Sequence, residues 1–135
     1  MKFILDWNNL ILIAMAVVSG IALLLPALQR RGARVSQIQA TQMMNQGKTL
    51  VLDVRSAEEF ASGHLPKAKN IPLPELAQRI AELEKSRNNV VITVCKSGVR
   101  SASAASVLTK AGFAQVFSLE GGTDSWREQG LPIIK

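Results

Sequence analysis

The sequence predicts an α/β domain with a parallel central sheet covered by helices on both faces, preceded by one transmembrane helix. Two observations indicate the domain: strand-like and helix-like segments alternate along the chain, and the strands are apolar throughout rather than at every second residue. A third observation indicates the membrane helix, because residues 10–28 carry no charge. The length of 135 residues allows one such domain with an N-terminal extension, but not two hydrophobic cores.

The uncharged run is long enough, at a helical rise, to cross the hydrocarbon core of a bilayer. Trp7 precedes the run, and Arg30, Arg31 and Arg34 follow it, which predicts an uncleaved helix whose trailing end lies in the cytoplasm. The alternatives are a signal peptide, which would carry its positive charge before the apolar run, and a buried core helix, which at this length would need a larger protein around it. We expect a short N-terminal segment at 1–9, a single span of the inner membrane at 10–28, a basic linker at 29–34 and a cytoplasmic domain at 35–135.

The segments of the domain follow from local signals. Ser36 and Ser56 are placed to cap short helices, Gly47 ends the first of these, and Pro74 opens a helix with one apolar face. The predicted strands are 50–54, 68–71, 90–94 and 116–119. The predicted helices are 37–46 after the Ser36 cap, a short one after the Ser56 cap that runs through Phe60, one that opens at Pro74 and has apolar positions as far as Leu83, one that begins at Arg100 or Ser101 and runs to Lys110, and a short one that opens at 121–122 and contains Trp126.

Composition argues against one class of partner. The net charge is +6 and the pI is near 10.0, but the basic residues of the domain are scattered and aromatic residues make up only 4%. A nucleic-acid surface needs a basic stripe or a stacking platform, and the sequence has neither. We therefore expect no nucleic acid among the partners.

Cys95 directly follows the strand 90–94, at the edge where open α/β sheets bind their ligands. Gly98 permits a tight turn into the next helix, so that backbone N–H groups of the turn point at the sulfur. Lys96 and Arg100 add positive charge, which predicts a thiol of lowered pKa that acts as a nucleophile. The alternative is a cysteine that packs at a strand end. A lone cysteine excludes an internal disulfide and a zinc site made of cysteines.

Three motifs in this order resemble the rhodanese sulfurtransferases. Residues 53–72 are similar to the amino-side signature of that family, and residues 95–101 are similar to its catalytic loop. The closing motif of the family is matched by Glu120-Gly121-Gly122, Trp126 and Gly130-Leu131-Pro132. The resemblance extends from Val35 to the end of the chain. With the N-terminal helix, the whole sequence resembles the bacterial membrane-anchored single-domain rhodaneses.

The resemblance implies a sulfurtransferase that needs no metal or organic cofactor. The residue matching Cys95 takes a sulfane sulfur from an anionic donor, such as thiosulfate, a polysulfide or a persulfide, and becomes a persulfide. A thiol or cyanide then accepts the sulfur, and the acceptor can be a protein. The alternative is a membrane-tethered interaction or sulfur-carrier module with little turnover. A Cys/Arg phosphatase is a further rival, but the four residues between Cys95 and Arg100 make a loop one residue too short for it.

The resemblance also assigns roles around the loop. Substrate binding falls to Arg55, Lys96, Ser97, Gly98, Val99 and Arg100. For Arg55, a structural ion pair with Glu58 or Glu59 is an equal alternative. Structural or orienting roles fall to Asp53, Glu59 and His64. The sulfur donor stays open, because Lys96 is typical of members that prefer thiosulfate and Ser97-Gly98-Val99 is typical of members that prefer mercaptopyruvate.

Overall fold

The computed structural model describes residues 6–30 and 33–135, with side chains described for residues 6–23 and 33–135. The chain divides into two compact units, Met1–Arg31 and Gly32–Lys135. The predicted N-terminal segment 1–9 and linker 29–34 therefore lie partly outside the described residues.

In the described residues of the N-terminal unit the chain forms helix α1 (Trp7–Arg30), which covers the predicted span 10–28. Many of its apolar side chains are exposed, including Leu12 at 64% and Val18 at 66%. Where the structure describes the chain, it contains no helix that combines the length and the apolar character needed to cross a membrane.

The second unit is built on five parallel strands in the order β1-β5-β4-β2-β3. The strands are β1 (Arg34–Val35), β2 (Thr49–Asp53), β3 (Lys69–Asn70), β4 (Val90–Val94) and β5 (Gln115–Leu119). The helices are α2 (Gln37–Asn45), α3 (Ala57–Ala61), α4 (Leu73–Arg79) with a following 3₁₀ helix (Ile80–Ser86), α5 (Val99–Lys110) and α6 (Gly122–Glu128). The parallel α/β architecture predicted from the sequence is confirmed.

Strand β1 is the element that the sequence did not predict. Arg34 was assigned to the linker, but it pairs with Ser118 at the edge of the sheet, and Val35 pairs with Leu119. Two residues are too short to show a hydrophobic period, so only the neighbouring strand defines this one. Arg34, which the sequence assigned to the linker, therefore forms part of the sheet.

Helices cover both faces of the sheet. Alternate side chains of β4 point to opposite faces, and each set packs against helices. Val91 belongs to a core cluster with residues of α4 and α5, such as Leu76 and Leu108. Ile92 belongs to a second cluster, which includes residues of α2 and α6. The predicted caps are also present, since Ser36 and Ser56 each form a capping box at the start of a helix.

The turns after β2 and β4 leave the sheet side by side. The ladder continues one residue beyond β2, where the Val54 N–H donates to the Val94 carbonyl at 2.9 Å. Cys95 follows Val94 directly, so the segment after β2 runs beside it. This edge of the sheet carries the candidate site.

Candidate active site

Cys95 is buried, with 1% of its surface exposed, at the point where β4 turns into α5. The Gly98 N–H donates to the Cys95 Sγ at 2.9 Å, and the Ser101 Oγ lies 3.4 Å from the same sulfur. Gly98 is the N-cap of α5 and has a φ of +108°, which favours glycine. No side chain caps this helix, so the N–H groups at its start are available to the sulfur.

These contacts favour the thiolate. Burial raises the pKa of the Cys95 thiol, but hydrogen bonds from the Ser101 hydroxyl and from backbone N–H groups of the loop lower it by more. The pKa therefore lies below its ordinary value. The thiolate is the reactive form of cysteine, so the geometry produces a nucleophile that is shielded from bulk water.

The loop is positioned from behind by the start of α6. The Thr123 N–H donates to the Cys95 carbonyl at 2.8 Å, and the Asp124 N–H donates to the Lys96 carbonyl at 3.1 Å. Gly122 has a φ of +58°, and a Cβ there would overlap both carbonyl oxygens. Gly121 and Gly122, at the start of α6, therefore allow the helix to approach the backbone of the loop, a role that the sequence did not reveal.

Two buried serines extend the polar environment of the sulfur. The Ser101 Oγ lies 2.7 Å from the Ser118 Oγ of β5 and donates to the Gly98 carbonyl at 3.1 Å. Sequence reasoning did not place Ser118 at the site. One signal was present, because Ser118 is the one polar residue among four otherwise apolar positions, 116–119.

Arg100 does not carry a free charge. Its guanidinium binds the Glu59 carboxylate with two hydrogen bonds of 2.7 and 2.9 Å. Hydrogen bonding from Arg100 lowers the pKa of Glu59 to about 2, against the opposing effect of burial. Glu59 also accepts from the Ser56 N–H, so one carboxylate both caps α3 and pairs with α5. The sequence predicts a structural or orienting role for Glu59, and in the structure Glu59 contacts Ser56 and Arg100.

Arg55 forms an ion pair, but with Asp53 rather than with Glu58 or Glu59. The pair is buried, with a shortest distance of 2.7 Å, and the Arg55 Nη2 also donates to the Gly63 carbonyl at 2.7 Å. The predicted partners are wrong because Asp53 lies two residues away, where the turn after β2 brings the two side chains together.

Asp53 was predicted to orient the loop. Among the described residues, every hydrogen bond recorded for its carboxylate goes to Arg55. The Thr123 and Asp124 N–H groups of α6 donate to the Cys95 and Lys96 carbonyls of the loop.

His64 connects the turn after α3 to the end of the chain. Its backbone forms a bridge to Ile134, and its ring stacks on Phe60 with centroids 3.8 Å apart. The ring Nδ1 lies 3.0 Å from the Phe60 carbonyl oxygen. These are the contacts of a structural residue.

The outer part of the loop faces solvent. Lys96, Ser97 and Val99 are exposed, and Val99 reaches 74%. A cavity of about 440 Å³ lies beside the loop, on the side of β5 and β1. Its lining includes Arg34, Ser97, Gly98, Val99, Ser118 and Glu120.

Known proteins resemble this chain in sequence and in fold. Residues 36–129 match the model of the rhodanese-like domain. The uncharacterized protein YibN of Escherichia coli K12 is 36% identical over 102 residues, which cover 75% of this chain and 71% of that protein. A protein of Allochromatium vinosum named sulfurtransferase is 36% identical over 85 residues, 63% of this chain and 78% of that protein. The crystal structure of a rhodanese-related protein from Thermoplasma volcanium matches with a TM-score of 0.69 and 30% identity, covering 76% of this chain and 97% of that one.

Proposed function

The chain belongs to the rhodanese-like domain family, and we propose that it is a sulfurtransferase that carries sulfane sulfur on Cys95. The observation that carries the proposal is the buried Cys95 thiol, which receives the Gly98 N–H at 2.9 Å and has a lowered pKa. A structural cysteine at a strand end needs neither feature. The similar protein of Allochromatium vinosum that is named sulfurtransferase adds support.

In the first step the Cys95 thiolate attacks the outer sulfur of a donor such as thiosulfate, a polysulfide or a persulfide. A new S–S bond forms, the S–S bond of the donor breaks, and the electron pair leaves with the donor remnant, which is sulfite when thiosulfate reacts. The enzyme then carries a persulfide anion. Backbone N–H groups that converge on the Cys95 Sγ stabilise negative charge without reorganising, as an oxyanion hole does.

In the second step an acceptor anion attacks the outer sulfur of the persulfide. The Cys95–sulfur bond breaks, and its electron pair returns to Cys95 as the thiolate. Cyanide becomes thiocyanate, and a thiolate becomes a persulfide. No metal or organic cofactor enters either step, and the mechanism predicts ping-pong kinetics.

Donor recognition falls to the exposed side of the loop. Lys96 is exposed there, whereas the charge of Arg100 is neutralised by Glu59. The predicted contact of Arg55 with the donor competes with its buried pair to Asp53. We therefore propose that Lys96 and the N–H groups of residues 97–99 make the first contacts with an anionic donor.

The experiment uses the full chain with thiosulfate and cyanide and measures thiocyanate. Cys95→Ser is expected to abolish transfer, and mass spectrometry of the wild type incubated with thiosulfate alone is expected to show one added sulfur atom. Ser106→Ala, on the same helix α5, is the matched control and is expected to leave transfer unchanged. Thiocyanate formation by Cys95→Ser at the wild-type rate would disprove the assignment.

The alternative is a sulfur-carrier or interaction module with little turnover of its own. Both roles require a persulfide on Cys95, so the amount of product distinguishes them. A carrier releases about one sulfur per chain and then stops unless a partner protein accepts the next one, whereas an enzyme continues to turn over with small acceptors.

We also propose that α1 anchors the protein in the inner membrane, with the rhodanese domain in the cytoplasm. Support comes from the uncharged sequence 10–28, the arginines that follow it and the exposed apolar side chains of α1. The protein is expected to stay with membranes after alkaline carbonate washing. Digestion of the domain by protease added from the periplasmic side would contradict the orientation.

A further inference from the structure

We propose that Ser118 is a positioning residue that acts through Ser101 to stabilise the thiolate of Cys95. The inference rests on the proposed function, in which this thiolate is the nucleophile. It concerns a residue on a different strand from the catalytic loop, with no hydrogen bond of its own to the sulfur.

The three side chains form a continuous line across the carboxyl edge of the sheet. Ser118 on β5 lies opposite Thr93 of β4, and its side chain reaches the first turn of α5. The distances are 2.7 Å from the Ser118 Oγ to the Ser101 Oγ and 3.4 Å from there to the Cys95 Sγ. Both serines are buried, so water competes little for these hydrogen bonds.

The directions of the hydrogen bonds among Cys95, Ser101 and Ser118 depend on whether Cys95 is a thiol or a thiolate. While Cys95 is a thiol, its S–H can donate to the Ser101 Oγ, and the Ser101 hydroxyl can donate to the Gly98 carbonyl at 3.1 Å. When the thiol loses its proton to solvent, the sulfur can only accept. The Ser101 hydroxyl can then turn its single proton from the Gly98 carbonyl to the sulfur, which already accepts from the Gly98 N–H.

Once Cys95 is a thiolate, the Ser101 oxygen no longer accepts a hydrogen bond from its S–H and is free to accept another. The Ser118 hydroxyl, at 2.7 Å, is placed to donate to it. A hydroxyl that accepts a hydrogen bond becomes a stronger donor itself, because chains of hydrogen bonds polarise one another. Ser118 therefore stabilises the charged sulfur through Ser101.

The position of Ser118 is otherwise unfavourable for a hydroxyl. Its neighbours Val116, Phe117 and Leu119 are apolar, and burying a hydroxyl without a partner costs free energy. The hydrogen bond to Ser101 removes that cost. The same position borders the 440 Å³ cavity.

The charged groups around the loop do not change when Ser118 is replaced. They are Arg34 on β1, Asp53 at the end of β2, Arg55 after β2, Glu59 on α3, Lys96 in the loop, Arg100 on α5, Glu120 after β5 and Asp124 on α6. A change in the titration of Cys95 in a neutral variant of Ser118 therefore reports the hydroxyl line rather than a new charge.

The test measures the rate of alkylation of the full chain by iodoacetamide as a function of pH. Cys95 is the one cysteine of the sequence, so the rate reports its thiolate directly. The matched pair is Ser118→Val and Ser118→Thr, which have the same shape and differ in the hydroxyl. Ser118→Val is expected to raise the pKa of Cys95 by about 0.5 to 1 unit, that is, to slow alkylation about three- to tenfold below the pKa, and Ser118→Thr is expected to restore the wild-type profile.

Further variants complete the design. Ser101→Ala is expected to raise the pKa at least as much, and Ser118→Val added to it is expected to have no further effect. Thr109→Ala, which removes a hydroxyl on the same helix α5 that bonds within the helix, is the control. If Ser118→Val does not fold by circular dichroism, Ser118→Ala replaces it in both comparisons.

Two results would overturn the inference: equal pKa shifts in Ser118→Val and Ser118→Thr, or an undiminished effect of Ser118→Val in the Ser101→Ala background. Alkylation needs no sulfur donor. A protein that transfers no sulfur but shows the expected shifts would contradict the proposed function and leave this inference standing.

Discussion

Two strand-to-helix connections lie side by side at the edge of the sheet, and they differ in whether a side chain caps the N-terminus of the helix that follows. After β2, the Ser56 side chain caps α3, and Glu59 returns a hydrogen bond to the Ser56 N–H. After β4, Gly98 begins α5 with no side-chain cap. The first helix thus satisfies its own N–H groups, whereas the second leaves its N–H groups to the sulfur of Cys95. The difference shows that an anion site can arise from leaving out an ordinary cap.

A third helix supports the uncapped connection. The first N–H groups of α6 donate to the carbonyls of Cys95 and Lys96, so α6 uses its free donors to fix the loop. Glu59 links the capped connection to the uncapped one through its pair with Arg100. Each of these contacts can be removed separately, which makes the comparison testable.

The largest effect is expected from Gly122→Ala, which breaks the support of the uncapped connection. Gly122 and Gly130 both have a positive φ, but a Cβ at Gly130 meets no atom within 4 Å, whereas one at Gly122 overlaps the loop carbonyls. Gly130→Ala is expected to cost about 1 kcal/mol of unfolding free energy from backbone strain alone, and Gly122→Ala about 3 kcal/mol or more.

Urea unfolding measures the loss of stability in both variants, and the rate of sulfur transfer from thiosulfate to cyanide shows whether the loop at Cys95 is still intact. Sulfur-transfer activity is expected to fall in Gly122→Ala but not in Gly130→Ala. Equal losses of stability in the two variants would show that α6 does not pack against the loop as described.

Removing the cap of α3 should affect stability without affecting the chemistry. Ser56→Ala deletes the hydroxyl that accepts from the Glu59 N–H at 3.2 Å, and is expected to cost about 1 kcal/mol in thermal or urea unfolding. Sulfur transfer at a temperature where the variant is folded is expected to stay at the wild-type rate. Ser62→Ala, at the other end of α3, is the control, with a change within about 0.5 kcal/mol. A fall in transfer for Ser56→Ala would mean that the Ser56 hydroxyl also affects the loop at Cys95.

The smallest effect on stability is expected from Glu59→Gln, which removes the charge but keeps a side chain that can complete the capping box. The pair with Arg100 is partly exposed, so its loss is expected to cost less than about 1 kcal/mol. Freed from Glu59, Arg100 is expected to raise kcat/KM for thiosulfate about threefold and to make it more sensitive to salt. Glu58→Gln removes the same charge from the neighbouring residue, and an equal gain there would contradict a specific role for the pair.

Glu59→Gln is also expected to change how the unfolding free energy depends on pH in acid. The folded-state pKa of Glu59 is depressed from 4.5 to about 2, so the pair contributes stability that is present above pH 4.5 and is lost as the pH falls toward 2. Urea unfolding of the wild type is expected to weaken over this window by more than that of Glu59→Gln. Parallel curves for the two proteins would show that the pair contributes no stability.

The sequence by itself determined the α/β class, the strand that ends at Cys95 and the helix caps at Ser36 and Ser56. Each of these depends on residues that are close in the chain, through an apolar run or a serine followed three residues later by Gln or Glu. For the same reason, Cys95 could be singled out from its neighbours alone.

Only the tertiary structure decided which partner each charged or polar side chain takes. Arg100 meets Glu59 across 41 positions of sequence, and Ser101 meets Ser118 across 17. The sequence offered Arg55 three acidic neighbours, Asp53, Glu58 and Glu59, and nothing local distinguishes them. The turn after β2 brings Asp53 to Arg55, and Glu59 pairs instead with Arg100 of α5. Hydrogen bonds act only at short range, and long-range folding determines which groups come within that range.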